Sequence, residues 1–153
     1  MVSSTVKLRD VYSTAGSAKW LYELLRERSV EKDVYLNISH RALPTWREHL
    51  KFFRSHTFRA WYLIDAGNEF VGYVSLTKLN EIGVIIMRAH REHGYATEAV
   101  RLLLAKHKPL PAVPSVRVLG FVANVHPKNA RSIKLFCSLG FRHVQNSYVR
   151  AAQ

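Results

Sequence analysis

The chain has 153 residues, 48% hydrophobic and 11% aromatic, enough for one domain with a real core and too apolar for a disordered chain. Lys and Arg number 23 against 11 Asp and Glu, a net charge of +12. This excludes an acidic solvating protein and asks for an anionic partner: nucleic acid, a phosphorylated cofactor or substrate, or an anionic membrane surface. No apolar run approaches the ~18 residues of a membrane span, and Met1–Asp10 lacks a secretory pattern. Cys137 is the only cysteine, so no internal disulfide or Cys-based zinc cage forms. These features predict a cytoplasmic protein of one domain over residues 1–153, with no membrane contact and no metal. His90 and His93 lie three apart beside a glycine without a carboxylate cluster and read as solvated loop histidines.

Val6–Tyr12 reads as a first strand. Ser17 is placed to cap a helix through Glu27, with Trp20, Leu21, Leu24 and Leu25 at helical spacing. Val34–Ile38 reads as extended. Thr45 caps a second helix with Glu48 three residues on as capping-box partner, its apolar face being Trp46, Leu50 and Phe53. Phe58–Ile64 and Phe70–Leu79 read as strands joined by a hairpin turn at Asp65–Asn68, with Val71, Tyr73, Ser75 and Thr77 on one face. Ile82–Met87, nearly all apolar, predicts a strand covered on both faces. A helix follows over Tyr95–Lys106, with Ala99, Val100, Leu103 and Leu104 inward. Val116–Ala123 reads as a strand, Asn129–Leu139 as a helix closed by Gly140, and Phe141–Val149 as a last strand whose edge is open to pairing. The order predicts an α+β, mixed α/β fold around one sheet.

The most informative stretch runs from Ile82 to Val100, where a buried strand enters a loop with Arg91, Gly94 and Ala96 and then a helix. A helix N-terminus presents unpaired N–H groups and partial positive charge, and Gly94 lets a ligand approach the backbone. The spacing suits a pyrophosphate, but it is neither a Walker A loop nor a G-x-G-x-x-G fingerprint. Arg91-x-x-Gly94-x-Ala96 resembles the acetyl-CoA signature of the GNAT N-acetyltransferases, Gln/Arg-x-x-Gly-x-Gly/Ala. Further on, Asn129, Ser132, Phe136, Gly140 and Phe141 resemble that family's later signature, Asn-x-x-Ser/Ala-x-x-x-Tyr/Phe-x-x-x-Gly-Phe.

The resemblance implies a central mixed sheet splayed at an acetyl-CoA cleft and flanked by helices. It implies a cosubstrate, acetyl-CoA, whose pantetheine pairs with backbone near Ile86 and Met87. The pyrophosphate is then held by amides of Arg91, Glu92, His93, Gly94, Tyr95, Ala96 and Thr97. Asn129 would bond the pantetheine, Phe136 and Ser132 would flank it, and Lys128 and Arg131 would meet its phosphates. A deprotonated primary amine attacks the thioester directly, without an acyl-enzyme.

Glu81, opening the strand beside the cleft, is the implied base, against the alternative of a solvated strand-end carboxylate. Many members carry Tyr where this chain has Phe136, so Ser132 is the nearest hydroxyl for the leaving thiolate; the alternative is a helix serine bonding back to a carbonyl. Tyr73 and Tyr148 are further donors. Asn124 and His126 either line the cleft or shape the turn before Pro127. Cys137, Trp20, Trp46 and Trp61 read as core.

Arg26, Arg28, Arg41, Arg47, Lys51 and Arg54 lie on or beside the first two helices, which the resemblance makes the acceptor side. They predict an acceptor that is anionic or carried on something anionic, a small-molecule or polymer-borne amine. An amino-sugar nucleotide is favoured because Leu24–Arg28 followed by Trp46–Phe53 resembles acetyltransferases acting on nucleotide-linked amino sugars, whose phosphates the arginines would meet. The alternatives are an amine on nucleic acid or a modified base, and a non-catalytic basic nucleic-acid-binding module. The expected assembly is a monomer or a homodimer.

Overall fold

A computed structural model describes residues 5–31 and 42–152; the expectations for Val34–Ile38 and Arg41 lie outside these. The elements are β1 (Lys7–Asp10), α1 (Ser17–Ser29), α2 (Trp46–Arg54), β2 (Ala60–Asp65), β3 (Phe70–Leu76), β4 (Ile82–Ile86), α3 (Tyr95–Lys106) and α4 (Ala130–Ser138). The four strands form one antiparallel sheet in the order β1-β2-β3-β4. No described helix is long and apolar enough to cross a membrane.

Burial explains the layering. β2 is buried along its whole length because its alternate residues feed two clusters. Tyr62 and Ile64 meet Val74, Leu76 and the α3 residues Ala99, Val100 and Leu103, with Phe136 from α4. Trp61 and Leu63 meet Val11 and Leu21 on the opposite face. Each such aliphatic side chain contributes about 1.5–3 kcal/mol by leaving water. β4, expected to be covered on both faces, is instead half-buried beyond Ile82, because one edge borders an opening.

Local corrections follow from geometry. The cap of α1 is Gly16 in a left-handed conformation, and Ser17 turns inward to donate to the Val11 carbonyl at 2.5 Å. The α2 capping box of Thr45 and Glu48 is present on both sides. Thr45→Ala should therefore cost about 1 kcal/mol, read as a fall in the denaturant midpoint at unchanged slope. The side chain that α2 buries is His49, whose Nε2 lies 2.7 Å from the Ala18 carbonyl, while Trp46 stays 42% exposed.

A register shift at Ile64/Asp65 changes the alternation in β3. Val71 joins the α3 side, and Tyr73 and Ser75 keep to the other, so the expected common face of Val71 with Tyr73, Ser75 and Thr77 is broken. Beside the shift, a Cβ on Gly72 would lie 2.1 Å from the Ile85 carbonyl oxygen, so only glycine fits that approach.

The two late strands do not form. Val116–Ala123 contributes a single parallel bridge, Glu81 with Val122. Phe141–Val149 has no strand pairing, and Val149 is 93% exposed. Cys137 is likewise exposed on α4 rather than part of the core.

Candidate active site

Where β4 begins, the Ile82 N–H donates to the Val122 carbonyl at 2.8 Å and the Val122 N–H to the Asn80 carbonyl at 2.9 Å. Beyond that bridge the two segments part. In an antiparallel ladder alternate residues face opposite edges. Ile82 faces the bridge and the Met87 N–H donates to the Val71 carbonyl at 2.8 Å, so Val84 and Ile86 face the opening. The Ile86 carbonyl accepts from Arg91 Nε at 3.2 Å. The exposed edge is therefore Val84 and the Ile86 N–H. Met87, expected to pair outward, has its N–H committed to the ladder.

The loop after β4 makes one 3-10 turn over Arg88–His90 and then passes through left-handed Glu92 (φ +66°) and Gly94 (φ +80°) into α3. No amide from Glu92 to Thr97 donates to another described residue; the first to do so is Glu98, to the Gly94 carbonyl at 3.1 Å. A run of unpaired, solvent-facing N–H groups at a helix N-terminus is an anion cradle. Nothing lies within 4 Å of a Cβ built on Gly94, so the approach is open.

The Arg91 side chain turns away from the cradle. It forms a two-pronged ion pair with Glu31, and the side chains are 16% and 9% exposed. Glu27 Oε2 accepts the Arg88 N–H at 3.0 Å. The C-terminal end of α1 is thus tied twice to the loop. Burial pushes the Glu31 carboxyl up, but the Arg91 hydrogen bonds and charge, with Arg28 and Arg88, outweigh it and hold it low. A lowered folded pKa gives stability that is present above the unfolded carboxylate's range and fades as pH falls through the folded value. Glu31→Gln should cost about 2 kcal/mol near neutrality, and less in acid, read as the gap between wild-type and variant unfolding free energies across pH.

On the α1–α2 face of the sheet lies a cavity of about 420 Å³. Glu81, Ser132, Asn129, Phe136, Asn124 and His126 all line it, with Tyr73 from β3. Glu81 Oε1 accepts from Asn124 Nδ2 at 3.0 Å, and Oε2 from the Thr77 hydroxyl at 3.4 Å. Ser132 gives its backbone N–H to the Asn129 Oδ1 cap at 3.2 Å, and its hydroxyl bonds no described residue. The backward helix bond weighed from sequence is therefore not made. Phe136 packs edge-on against Phe141, with ring centres 5.2 Å apart. Burial raises the Tyr73 phenol, partly offset by the Arg28 charge. Tyr148 is 92% exposed and does not line the cavity. Arg131 is exposed on the first turn of α4.

Asn80 escaped the sequence reading. It is fully buried at φ +63°, and its side chain brackets Leu110, donating to its carbonyl at 2.9 Å and accepting from its N–H at 2.8 Å. With its own carbonyl on Val122, it fixes the turn that presents Glu81. Its only sequence signal is an asparagine in a tight turn, where left-handed backbone is tolerated.

The family described as acetyltransferase (GNAT) domain matches residues 7–142. Among solved structures, a domain from Methanocaldococcus jannaschii is 24% identical with a TM-score of 0.71, over 95% of this chain and 93% of its own. A ribosomal-protein-alanine N-acetyltransferase from Brucella melitensis is 17% identical with a TM-score of 0.68, over 91% of this chain and 86% of its own. A dodecameric spermidine N-acetyltransferase from Vibrio cholerae is 16% identical with a TM-score of 0.61, over 94% and 82%. A search of the curated proteins finds no match. With the family matched over most of its length and the fold shared with these structures, the chain belongs to the GNAT acetyltransferases.

Proposed function

We propose that the protein transfers the acetyl group of acetyl-CoA to a primary amine, with Glu81 as base and Ser132 as proton donor. The observation that carries the reading is the parting of β4 from the segment after Val122, which opens the Val84–Ile86 edge between the amide cradle and Glu81. Acetyl-CoA supplies the acetyl group as a thioester. The cradle from Glu92 to Thr97 binds its pyrophosphate, and Val84 and Ile86 pair with its pantetheine amides. Arg91 contributes by fixing the loop through Glu31. Lys128 and Arg131 give further charge toward the phosphates.

Glu81 takes a proton from the incoming ammonium, directly or through one water, while Asn124 and Thr77 orient its two oxygens. The amine lone pair forms the C–N bond, the C–S bond breaks, the leaving sulfur takes a proton from the Ser132 hydroxyl, and the proton shed by the new amide nitrogen returns to the serine oxygen through water. Tyr73, kept protonated by burial, is a second donor on the same cavity. The chain acts as one catalytic domain, and its single free cysteine suits a reducing cytoplasm.

An amino-sugar nucleotide, the acceptor favoured from sequence, gains no support from the relatives, whose names give a ribosomal-protein alanine and spermidine. Arg47, Lys51 and Arg54 border a separate hollow on α2, away from Glu81, so they do not argue for a nucleotide in the cavity. The test is a melting titration with acetyl-CoA. Saturation is expected to raise the melting point, and no shift at concentrations in the millimolar range contradicts the reading.

A further inference from the structure

The cations on α2 take no part in acetyl transfer, and their arrangement is independent of that reading. Arg47, Lys51 and Arg54 stand at i, i+4 and i+7 and form one exposed row along the helix. None of the three makes an ion pair or side-chain hydrogen bond with a described residue. Lys51 and Arg54 suit the partial negative charge at the end of α2, but Arg47 sits in the first turn, against the partial positive charge. Helix stability therefore does not account for the row. The cavity beside Glu81 is lined by other residues of the same helix, Glu48, His49 and Phe52.

The row borders a hollow of about 620 Å³, lined by the three cations with Trp46, Leu50 and Ser55. The Trp46 ring rests against Tyr22 and His49, with ring centres 5.3 and 5.6 Å away, and is still 42% exposed. Cations that track phosphates beside a fixed, solvent-open aromatic ring are the means by which proteins hold a single strand of nucleic acid. From Arg47 to Arg54 the helix rises about 10 Å, the length of three nucleotides of one strand at about 3.4 Å each. A duplex keeps its base faces stacked and leaves the ring unused.

Two other occupants fit less well. Every described acid except Glu92 already meets a hydrogen-bond donor or a basic side chain within the chain. With Asp33 outside the described residues, a second copy offers at most two free carboxylates to three cations. A membrane-surface helix sinks a projecting apolar face into lipid. Here the apolar residues beside the cations line a hollow, and Leu50 is half-buried, so no apolar ridge projects between them.

We propose that the outer face of α2 binds single-stranded nucleic acid, with Arg47, Lys51 and Arg54 on successive phosphates and one base stacked on Trp46.

The test is the fluorescence anisotropy of a labelled oligothymidylate of about ten nucleotides, titrated with the protein over a range of salt. The wild type is expected to bind at low salt. Log affinity should fall against log salt with a slope of about −2, from three contacts at about −0.7 each. Arg47→Gln, Lys51→Gln and Arg54→Gln should each make that slope shallower by about 0.7. Trp46→Ala should weaken binding about tenfold at unchanged slope, and Trp46→Phe, which keeps a ring against Tyr22, should recover part of it. The double variant Lys128→Gln/Arg131→Gln should bind like the wild type. No binding at low salt, or slopes unchanged in the α2 variants, overturns the proposal. So does a loss in Lys128→Gln/Arg131→Gln equal to theirs, which would place the strand at α4. Full binding in Trp46→Ala, or binding of the corresponding duplex as tight as the single strand, leaves only a general polyanion surface and overturns it too. Tighter binding to phosphatidylserine vesicles than to the oligonucleotide overturns it in favour of a membrane.

Discussion

Gly94→Glu is expected to abolish the rise in melting temperature that acetyl-CoA gives the wild-type protein. Gly94 stands at φ +80° with open space where a Cβ would be, directly before the unpaired amides of the α3 N-terminus. A side chain there is strained in the left-handed region, at a cost of about 1 kcal/mol, which the fold tolerates. The glutamate carboxylate would occupy the space in front of the amides and bring a negative charge to a cradle suited to a pyrophosphate. Gly94→Ala separates the two effects. It shares the backbone strain but adds no charge and little bulk, so it should melt slightly lower than wild type and still respond to acetyl-CoA. A full acetyl-CoA shift in Gly94→Glu would show that the phosphates lie elsewhere.

Glu81→Gln is expected to lower kcat by about 10²–10⁴-fold, the usual contribution of a positioned base, with acetyl-CoA affinity unchanged. A glutamine side chain keeps the shape and the firmer of the two contacts, its amide oxygen accepting from Asn124, and loses only the longer bond from the Thr77 hydroxyl. The turn below it is held by Asn80 rather than by the carboxylate. The substitution thus removes proton affinity and little else. Single-turnover measurements with an amine and saturating acetyl-CoA read the chemical step. An unchanged rate would leave Glu81 as a cavity-lining carboxylate without a part in proton transfer.

Both substitutions fall in stretches that the sequence made legible for local reasons. The α3 boundaries, Tyr95–Lys106, follow from Gly94 and the spacing of Ala99, Val100 and Leu103. The ends of α4 follow from the Asn129 cap and left-handed Gly140, where the Phe141 N–H closes onto the Phe136 carbonyl at 3.0 Å. Val116–Ala123 and Phe141–Val149 misled because β-branched and aromatic residues favour strands only where a partner edge covers them. Val116 and Leu119 are instead solvent-exposed, as are Val144 and Val149.

Other features were beyond a periodic reading. The register shift that moves Val71 to the α3 side depends on pairing with β2. His49 faces inward because it finds the Ala18 carbonyl, and burial lowers its pKa, favouring the neutral ring. The Glu31–Arg91 pair joins residues 60 apart in sequence, so no local pattern shows that the Arg91 side chain ties the loop to α1.

The most direct measurement is CoA release by the purified protein with acetyl-CoA and a panel of primary amines, with the amine product identified by mass. Amine-dependent release of CoA with one acetyl group on nitrogen, lost in Glu81→Gln, is the predicted result. CoA release that does not depend on any amine, or acetyl-CoA left intact across the panel, contradicts the account.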